Sequence, residues 1–392
     1  MNRARKNVVI LTLAQALMMT GTIINATTSA LAGYELASDK SLATLAVAFQ
    51  FTATMATTVP ASLLMARLGR RAGFMLGAGA QLVGALATAA AIVSGAFWLF
   101  CLCGLLLGVA NAFTLYYRFA AADTADEAFR PKAISLVLAG GVAAALIGPE
   151  FARWSRDLLL PYTYAGTFVT LAAMGAINLV VLVFLDIPKP PRMRFAGGRP
   201  LSRIAAQPLF LVAVVSAMVA YGTMSLLMTA TPLAMAACAW TFEDSAFVIQ
   251  WHALGMFAPA FFTGHLIRHF GVLPIMRTGA AVLVIGVVVD LGGLSVSHFW
   301  IGLTLLGVGW NFMFVGATTL LTETYRPDER AKVQALNDFC VFSATATGAF
   351  SAGALQFHIG WEMMNYAVLP LVAVALLTLL AIRHAARRRA VA

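Results

Sequence analysis

The sequence consists almost entirely of apolar stretches that are each long enough to cross a lipid bilayer. About twelve can be delimited, at residues 7–33, 41–65, 73–94, 97–121, 132–152, 162–186, 208–237, 245–267, 274–295, 299–322, 332–356 and 361–383. A transmembrane helix needs roughly 20 mainly apolar residues. Of the 392 residues, 61% are apolar and only 11% are charged. The core of a soluble protein could not bury so much apolar surface. The sequence therefore predicts an all-α membrane protein with about twelve transmembrane helices.

The basic residues are concentrated in alternate loops between these stretches. They precede the first span, follow the even-numbered spans and fill the segment after the sixth, whereas the other loops contain only Lys40, Arg153 and Arg156. Cytoplasmic loops of membrane proteins carry an excess of Lys and Arg. We therefore expect a protein of the bacterial inner membrane with both termini in the cytoplasm. Because this topology accounts for the formal charge of +10, we expect no nucleic-acid partner.

The two halves of the chain contain matching text at a shift of about 200 residues. Asn111 falls on Asn311 and Arg130 on Arg330, and at a shift of 202 the string SLLMARLG meets GHLIRHFG. Between the halves, residues 187–207 are rich in proline, glycine and arginine, and cannot continue a membrane helix. We therefore predict two pseudo-symmetric six-helix bundles, at residues 1–186 and 208–392, joined by a cytoplasmic linker at 187–207.

The loop after the second span carries the most specific motif. It reads SLLMARLGRR, from Ser62 to Arg71, and resembles the signature of the major facilitator superfamily. Ala66 stands where that family usually has aspartate, and Ser62 where it has glycine. The resemblance implies a cytoplasmic gate, whose residues in this chain and in its repeat copy are Arg67, Gly69, Arg70, Arg71, Gly264 and Gly271. Ordinary positively charged loops would explain the arginines but not the repeated glycine spacing.

Two further strings favour particular branches of the superfamily. YRFAAAD, from Tyr117 to Asp123, and QALNDF, from Gln334 to Phe339, are similar to a bacterial branch that includes riboflavin-uptake transporters. In the fifth span, Gly140, Gly141, Gly148 and Pro149 partly resemble the glycine-proline motif of the antiporters, so that drug or metabolite efflux is an alternative. The resemblance implies a secondary active transporter of small organic solutes that works by alternating access.

Polar and aromatic side chains within the spans are the candidate substrate ligands. In the superfamily, the first, fourth, seventh and tenth spans line the central cavity, and polar groups in the bilayer tend to face cavities or partners. The candidates on these spans and their neighbours are Asn25, Asn111, Tyr117, Tyr221, Trp251, His252, Trp310, Asn311 and Asn337. For any single residue, hydrogen bonding between helices is the alternative. The aromatic rings would suit a planar aromatic or amphipathic solute.

Asp338 is the candidate for proton coupling, because it lies about two turns inside the eleventh span. A carboxylate in the bilayer can bind and release a proton during a transport cycle. The alternative is a structural ion pair with Arg118 or Lys332. His252 is the second candidate, although a lone histidine is often structural.

No motif in the sequence favours an enzyme. The chain has no phosphate-binding glycine loop, no zinc-ligand spacing and no nucleotide-binding domain, and Cys101 and Cys103 point to different faces of a helix. We expect no metal and no cofactor, and a monomer in the lipid bilayer whose partners are a small-molecule substrate and protons. The alternative from another class is a non-transporting membrane sensor or assembly factor with a transporter fold.

Overall fold

A computed structural model describes residues 3–126, 129–187, 198–326 and 328–391. In these residues the chain forms α-helices and one short 3₁₀ helix, Lys40–Leu42. The helices of the first half are α1 (Arg3–Leu36), α2 (Leu45–Leu68), α3 (Arg70–Val93), α4 (Phe97–Thr114), α5 (Tyr117–Thr124), α6 (Arg130–Ser155) and α7 (Ala165–Val183). Those of the second half are α8 (Leu201–Ala205), α9 (Pro208–Ala237), α10 (Phe242–Phe257), α11 (Ala260–Phe270), α12 (Val272–Leu291), α13 (Val296–Thr322), α14 (Arg330–His358) and α15 (Gly360–Val391).

The predicted spans are found, but two of them are broken. The fourth consists of α4 and α5, and the eighth consists of α10 and α11, which meet at 40°. Pro259 lies at the second break, and proline has no amide hydrogen to continue a helix. Among the described residues, ten spans are long and apolar enough to cross a membrane, and the bent pair makes an eleventh.

The remaining predicted span, α14, is a helix of 29 residues, but it is not among those apolar spans. It contains Gln334, Asn337 and Asp338, and it packs between α9 and α2, the latter from the other half of the chain. Its polar side chains therefore have neighbours other than lipid. This placement explains how a relatively polar helix can lie among the membrane spans.

The helices form two bundles with the same internal packing. In the N-terminal bundle, α1 packs on α6 and α7, while α4 packs on α2 and α3. In the C-terminal bundle, α9 packs on α14 and α15, while α13 packs on α10 and α12. These pairs correspond when the first six spans are superposed in order on the last six. The predicted pair of pseudo-symmetric six-helix bundles is thus the observed architecture.

Glycines allow the closest helix crossings inside each bundle. A Cβ atom at Gly108 of α4 would lie 2.1 Å from the carbonyl oxygen of Gln50 in α2. In the other bundle, a Cβ atom at Gly307 of α13 would lie 2.4 Å from the carbonyl oxygen of His252 in α10. Small residues are the usual means by which membrane helices approach, since lipid supplies no hydrophobic driving force between them.

The bundles meet along two equivalent seams. One seam is formed by α2 and α14, and the other by α6 and α10. We call the end of the molecule that carries both chain termini the terminal end, and the opposite one the distal end. Three tryptophans with exposed rings lie at the distal ends of spans, where rings of this kind often mark a membrane–water interface: Trp98, Trp154 and Trp240.

Only the ends of the predicted linker are described, because residues 188–197 lie outside the described ranges. Its last part is attached to the C-terminal bundle. Arg199 forms a 2.7 Å ion pair with Glu329, whose side chain is inaccessible, and Lys332 Nζ donates a hydrogen bond to the Arg199 carbonyl oxygen. The Arg199 guanidinium lowers the pKa of Glu329 well below its usual range.

Candidate substrate site between the bundles

An aromatic cluster faces the region between the two bundles. Tyr221 of α9 contacts the rings of Trp310 and Phe314 of α13, at centroid distances of 5.0 and 4.8 Å, and Phe342 of α14 at 6.1 Å. Trp310 and Phe314 are four residues apart, so they lie on one face of α13, and their rings stack at 5.2 Å. The four rings pack against one another, and two of them, Trp310 and Phe342, are buried. We call them the aromatic cluster.

Two opposite charges lie beside this cluster, one from each bundle. Arg118 belongs to α5 and Asp338 to α14, and the charges of both act on the Tyr221 phenol. Arg118 also acts on the Asp338 carboxylate, yet the two form no direct ion pair within the described part of the chain. Asp338 instead accepts a 3.0 Å hydrogen bond from Asn337 Nδ2. The site therefore combines aromatic surface with one positive and one negative group.

The break between α4 and α5 brings Arg118 to this position. Helix α4 ends at Thr114, and α5 starts at Tyr117, one residue before Arg118. Tyr116, at the break, donates a 2.8 Å hydrogen bond from its hydroxyl to the Thr58 carbonyl oxygen of α2. This bond ties the break to the neighbouring helix. Sequence analysis named Arg118 only as a possible partner of Asp338, because a helical break cannot be located from apolarity alone.

Three of the predicted substrate ligands hydrogen-bond inside the N-terminal bundle. Asn25 Nδ2 donates to Gln50 Oε1 at 2.6 Å. Asn111 Oδ1 accepts from the Thr22 hydroxyl at 3.0 Å. Tyr117 is buried against Phe74, and its hydroxyl accepts from Asn178 Nδ2 at 3.1 Å. A cavity of about 10 Å³, enough for one water molecule, lies next to Asn25 and Asn111.

Three more predicted ligands lie inside or on the outside of the C-terminal bundle. Asn311 Nδ2 donates to the Met256 carbonyl oxygen at 2.7 Å, and its Oδ1 accepts from Thr263, so it bridges the two sides of the break in the eighth span. His252 is fully buried, with Nδ1 2.8 Å from the Leu303 carbonyl oxygen. Trp251 is 38% exposed and packs on Trp300, in a separate aromatic group.

The structure therefore brings together only part of the predicted set. Tyr221, Trp310, Asn337 and Asp338 lie at the central site, whereas the others are engaged within single bundles or on the outer surface. Phe314 and Phe342 complete the central site, and sequence analysis missed both. Their only signal is their helical spacing from Trp310 and Asp338, which many other apolar residues share.

The predicted gate loop and its repeat copy each contain a glycine in the same unusual conformation. Gly69 joins α2 to α3 with φ +97°, and Gly271 joins α11 to α12 with φ +89°. Both values lie in the region that favours glycine. Arg70 forms a 2.7 Å ion pair with Asp123 at the end of α5, while Arg67 and Arg71 are exposed. Gly264 faces open space, so neither its backbone nor its packing requires glycine.

The distal end is closed by contacts across both seams. In the first seam, the Thr44 hydroxyl bonds to the backbone of α14. In the second, the Arg156 guanidinium lies between the rings of Tyr164 and Phe242, at centroid distances of 5.8 and 5.1 Å, and 3.9 Å from Glu243. Phe242 and Glu243 belong to the C-terminal bundle.

The two halves of the eighth span have different neighbours. Helix α10, its distal half, packs against α6 across the seam, whereas α11 packs on α10, α12 and α13. The break between them therefore separates the part of the span that seals the distal end from the part at the terminal end. In this structure the two bundles are therefore in contact at the distal end.

Comparison with known proteins identifies the family. The sequence model of the Major Facilitator Superfamily matches residues 11–289 and again residues 213–391. The chain is 41% identical, over 96% of each chain, to the riboflavin transporter RfnT of Brucella anthropi. It is 28% identical to the uncharacterised MFS-type transporter YddS of Bacillus subtilis, over 76% of this chain and 73% of YddS.

Solved structures agree on the fold. The human organic anion transporter MFSD10 matches with a TM-score of 0.67 and 16% identity, over 97% of this chain and all of the other. A bacterial homologue of the human lysosomal transporter Spinster, in an inward-facing and occupied conformation, matches with a TM-score of 0.72 and 14% identity, over 96% of each chain. The protein is thus a multi-pass membrane transporter for a small molecule and not an enzyme. It belongs to the Major Facilitator Superfamily.

Proposed function

We propose that this protein is a secondary active transporter of riboflavin or a closely related flavin. The observation that carries the proposal is the aromatic cluster between the bundles, next to Arg118 and Asp338. A flavin is a flat tricyclic ring with hydrogen-bonding groups along one edge and a polar side chain. Stacking on aromatic rings, with polar groups at the edge, is a common way of binding such a molecule. The 41% identity to a riboflavin transporter supports the same substrate class.

Transport by alternating access follows from the two bundles and their seams. The distal contacts of Thr44 and Arg156 close one side, and the loops at Gly69 and Gly271 lie on the other. If the bundles rock about the central site, the distal contacts break as the terminal end closes. Gly69, Gly271 and the Arg70–Asp123 ion pair then form the gate at the terminal end, with Arg67 and Arg71 at its surface.

Asp338 is proposed to carry the coupled proton. It is partly buried between the bundles and has no direct ion-pair partner among the described residues. The groups that face it are Asn337 on its own helix, Tyr221 of α9, and Tyr116 and Arg118 from the other bundle. His252 is a poorer choice, because its ring is fully buried between α10 and α13.

The orientation of the chain is also proposed. The basic residues at the terminal end favour a cytoplasmic terminal end in the bacterial inner membrane. Residues 187–207 would then be a cytoplasmic linker between units 1–186 and 208–392. Reporter fusions to the C-terminus and the linker test this orientation. A periplasmic signal from either would contradict it.

Reconstituted vesicles test the function directly. Radiolabelled riboflavin should enter vesicles that contain the protein and exchange with unlabelled riboflavin inside. Binding should also quench flavin fluorescence, because a stacked indole is an efficient quencher. Trp310→Leu should reduce both signals, whereas Trp98→Leu, on the outer surface with 63% exposure, should change neither. Absence of binding and of exchange in the folded wild-type protein would refute riboflavin as the substrate.

A further inference from the structure

Two buried nitrogen donors at the central site have no acceptor among the described residues. They are Arg118 Nε and Trp310 Nε1. The tryptophan side chain is only 5% exposed, and its ring contacts Tyr221. A buried donor that lacks an acceptor is destabilising, and more so when it is charged. Such donors are therefore expected where a ligand supplies the missing acceptors.

The described side chains around Arg118 do not supply the missing hydrogen-bond acceptor. Its guanidinium lies 4.9 Å from the centroid of the Phe119 ring, which offers only a π-face. Asp338 acts on it from across the interface but does not reach ion-pair distance. The guanidinium is thus held at the edge of the site. It is planar, and its donors are directed.

The position of Arg118 relative to Tyr221 indicates which part of a ligand would lie beside the guanidinium. The Tyr221 ring packs on Trp310, and its phenol is within reach of the Arg118 charge. A planar solute lying against the aromatic cluster would therefore have one edge near Arg118. The atoms at that edge have to be acceptors, because every guanidinium hydrogen is a donor.

We propose that Arg118 is a specificity-determining residue, whose guanidinium donates a hydrogen bond to a ring carbonyl oxygen of the bound heteroaromatic solute. This inference rests on the proposed function and refines it. The substrate class becomes planar ring systems with carbonyl acceptors on the edge that faces α5. The isoalloxazine ring carries two such carbonyls, at C2 and C4. Flat aromatic molecules without acceptors would stack but leave Arg118 desolvated and unpaired.

The test combines a change in the protein with a change in the ligand. Binding is measured by fluorescence quenching or competition for riboflavin and for two analogues in which sulfur replaces the C2 or the C4 carbonyl oxygen. Sulfur is a weaker acceptor, so the wild-type protein should bind one analogue about tenfold more weakly. In Arg118→Leu and Arg118→Met, which have no side-chain donor, the affinity ratio between riboflavin and that analogue should fall to near one. A matched control is Arg130→Met, which removes a positive charge from an exposed position at the same end of the molecule.

The ratio separates a specificity role from a structural one. A fold defect weakens all three ligands together, whereas loss of one hydrogen bond removes only the discrimination. The affinity ratio is compared in whichever Arg118 variant elutes as a folded monodisperse protein. A wild-type ratio near one for both analogues, or an unchanged ratio in the folded variant, would overturn the inference while leaving riboflavin transport in place. If the folded wild-type protein binds no flavin, the proposed function fails and this inference falls with it.

Discussion

The hydroxyl of Thr44 joins the two bundles by bonding to the backbone of α14 at two points. It donates to the Ala349 carbonyl oxygen at 2.8 Å and accepts from the Gly353 amide at 3.0 Å. Thr44 lies at the start of α2 and is only 1% exposed. The contact is close because a Cβ atom at Gly353 would lie 2.7 Å from the Ser41 carbonyl oxygen. Sequence-distant residues thereby close the distal end of one seam.

Removing this hydroxyl should favour opening of the distal end. Thr44→Val keeps the shape but loses the contact, worth about 1 kcal/mol, or about fivefold in the ratio of closed to open molecules. Spin labels or fluorophores on α2 and α14 should show a larger distal-open population. Thr52→Val is the control, because among the described residues the Thr52 hydroxyl bonds only to Ala48 of its own helix. Equal populations in the two variants would contradict a latch at Thr44.

The gate assignment predicts a strong effect at Gly69. Its φ of +97° is costly for any residue with a Cβ atom, by about 1–3 kcal/mol. Gly69→Val should therefore impair transport while the protein still inserts into the membrane. Gly79→Val is a suitable control, since a Cβ atom there meets nothing within 4 Å and Gly79 has no positive φ. Normal transport by Gly69→Val at equal expression would remove this loop from the gate.

The sequence predicts the elements and the repeat well, because both depend on local composition. Apolar length locates the spans, and the shift of about 200 residues pairs Asn111 with Asn311. Each of these asparagines accepts a hydrogen bond from a threonine hydroxyl, Thr22 in one bundle and Thr263 in the other. The glycines at 69 and 271 also keep equivalent roles. Gly264 has no such equivalent role. The matching position in the other half is occupied by Ser62, and a Cβ atom at Gly264 would meet nothing within 4 Å.

The sequence predicts the central site only in part, because the direction of a side chain depends on its neighbours in space. Tyr116 and Tyr117 are adjacent, yet one hydroxyl bonds to α2 and the other to Asn178 of α7. No local pattern separates them, and the break before α5 changes which residues face the interface. His252 and Trp251 are likewise adjacent, with one buried and the other facing outwards.

The attachment of the linker should make stability depend on pH. The Arg199 guanidinium lowers the pKa of Glu329 from its usual value of 4.5, and a group of this kind stabilises the fold above its unfolded pKa. The contribution is present at neutral pH and is lost progressively as the pH falls below about 4.5. Glu329→Gln should therefore unfold at a lower temperature than the wild type at pH 7, with a smaller difference at pH 3.

A second carboxylate provides the control for this measurement. Glu323 is exposed and lies six residues before Glu329, so Glu323→Gln removes the same charge from nearby without touching Arg199. Its unfolding temperature should follow that of the wild type at both pH values. A gap between Glu329→Gln and the wild type that stays constant from pH 7 to pH 3 would show that the charge of Glu329 is not what stabilises the linker.

Coupling is predicted to depend on Asp338, the carboxylate between the bundles. Asp338→Asn keeps the shape and most hydrogen bonding but cannot titrate. It should abolish riboflavin accumulation driven by a pH gradient, yet spare exchange of labelled for unlabelled riboflavin, because exchange needs no net proton movement. Asp290→Asn is the matched control, since Asp290 is also a buried carboxylate within a span but lies on α12 beside Gly302 of α13. This variant should keep both modes of transport.

The comparison also separates coupling from a structural role of Asp338. If the carboxylate mainly balances Arg118, its loss leaves a positive charge unpaired in the bilayer, and stability should fall together with every mode of transport. Gradient-driven uptake, exchange and thermal unfolding therefore have to be measured on one preparation of each variant. Loss of accumulation with intact exchange and unfolding temperature supports proton transfer at Asp338. Accumulation that still follows the pH gradient in Asp338→Asn would exclude it, and the same measurements on His252→Gln would then be the next step.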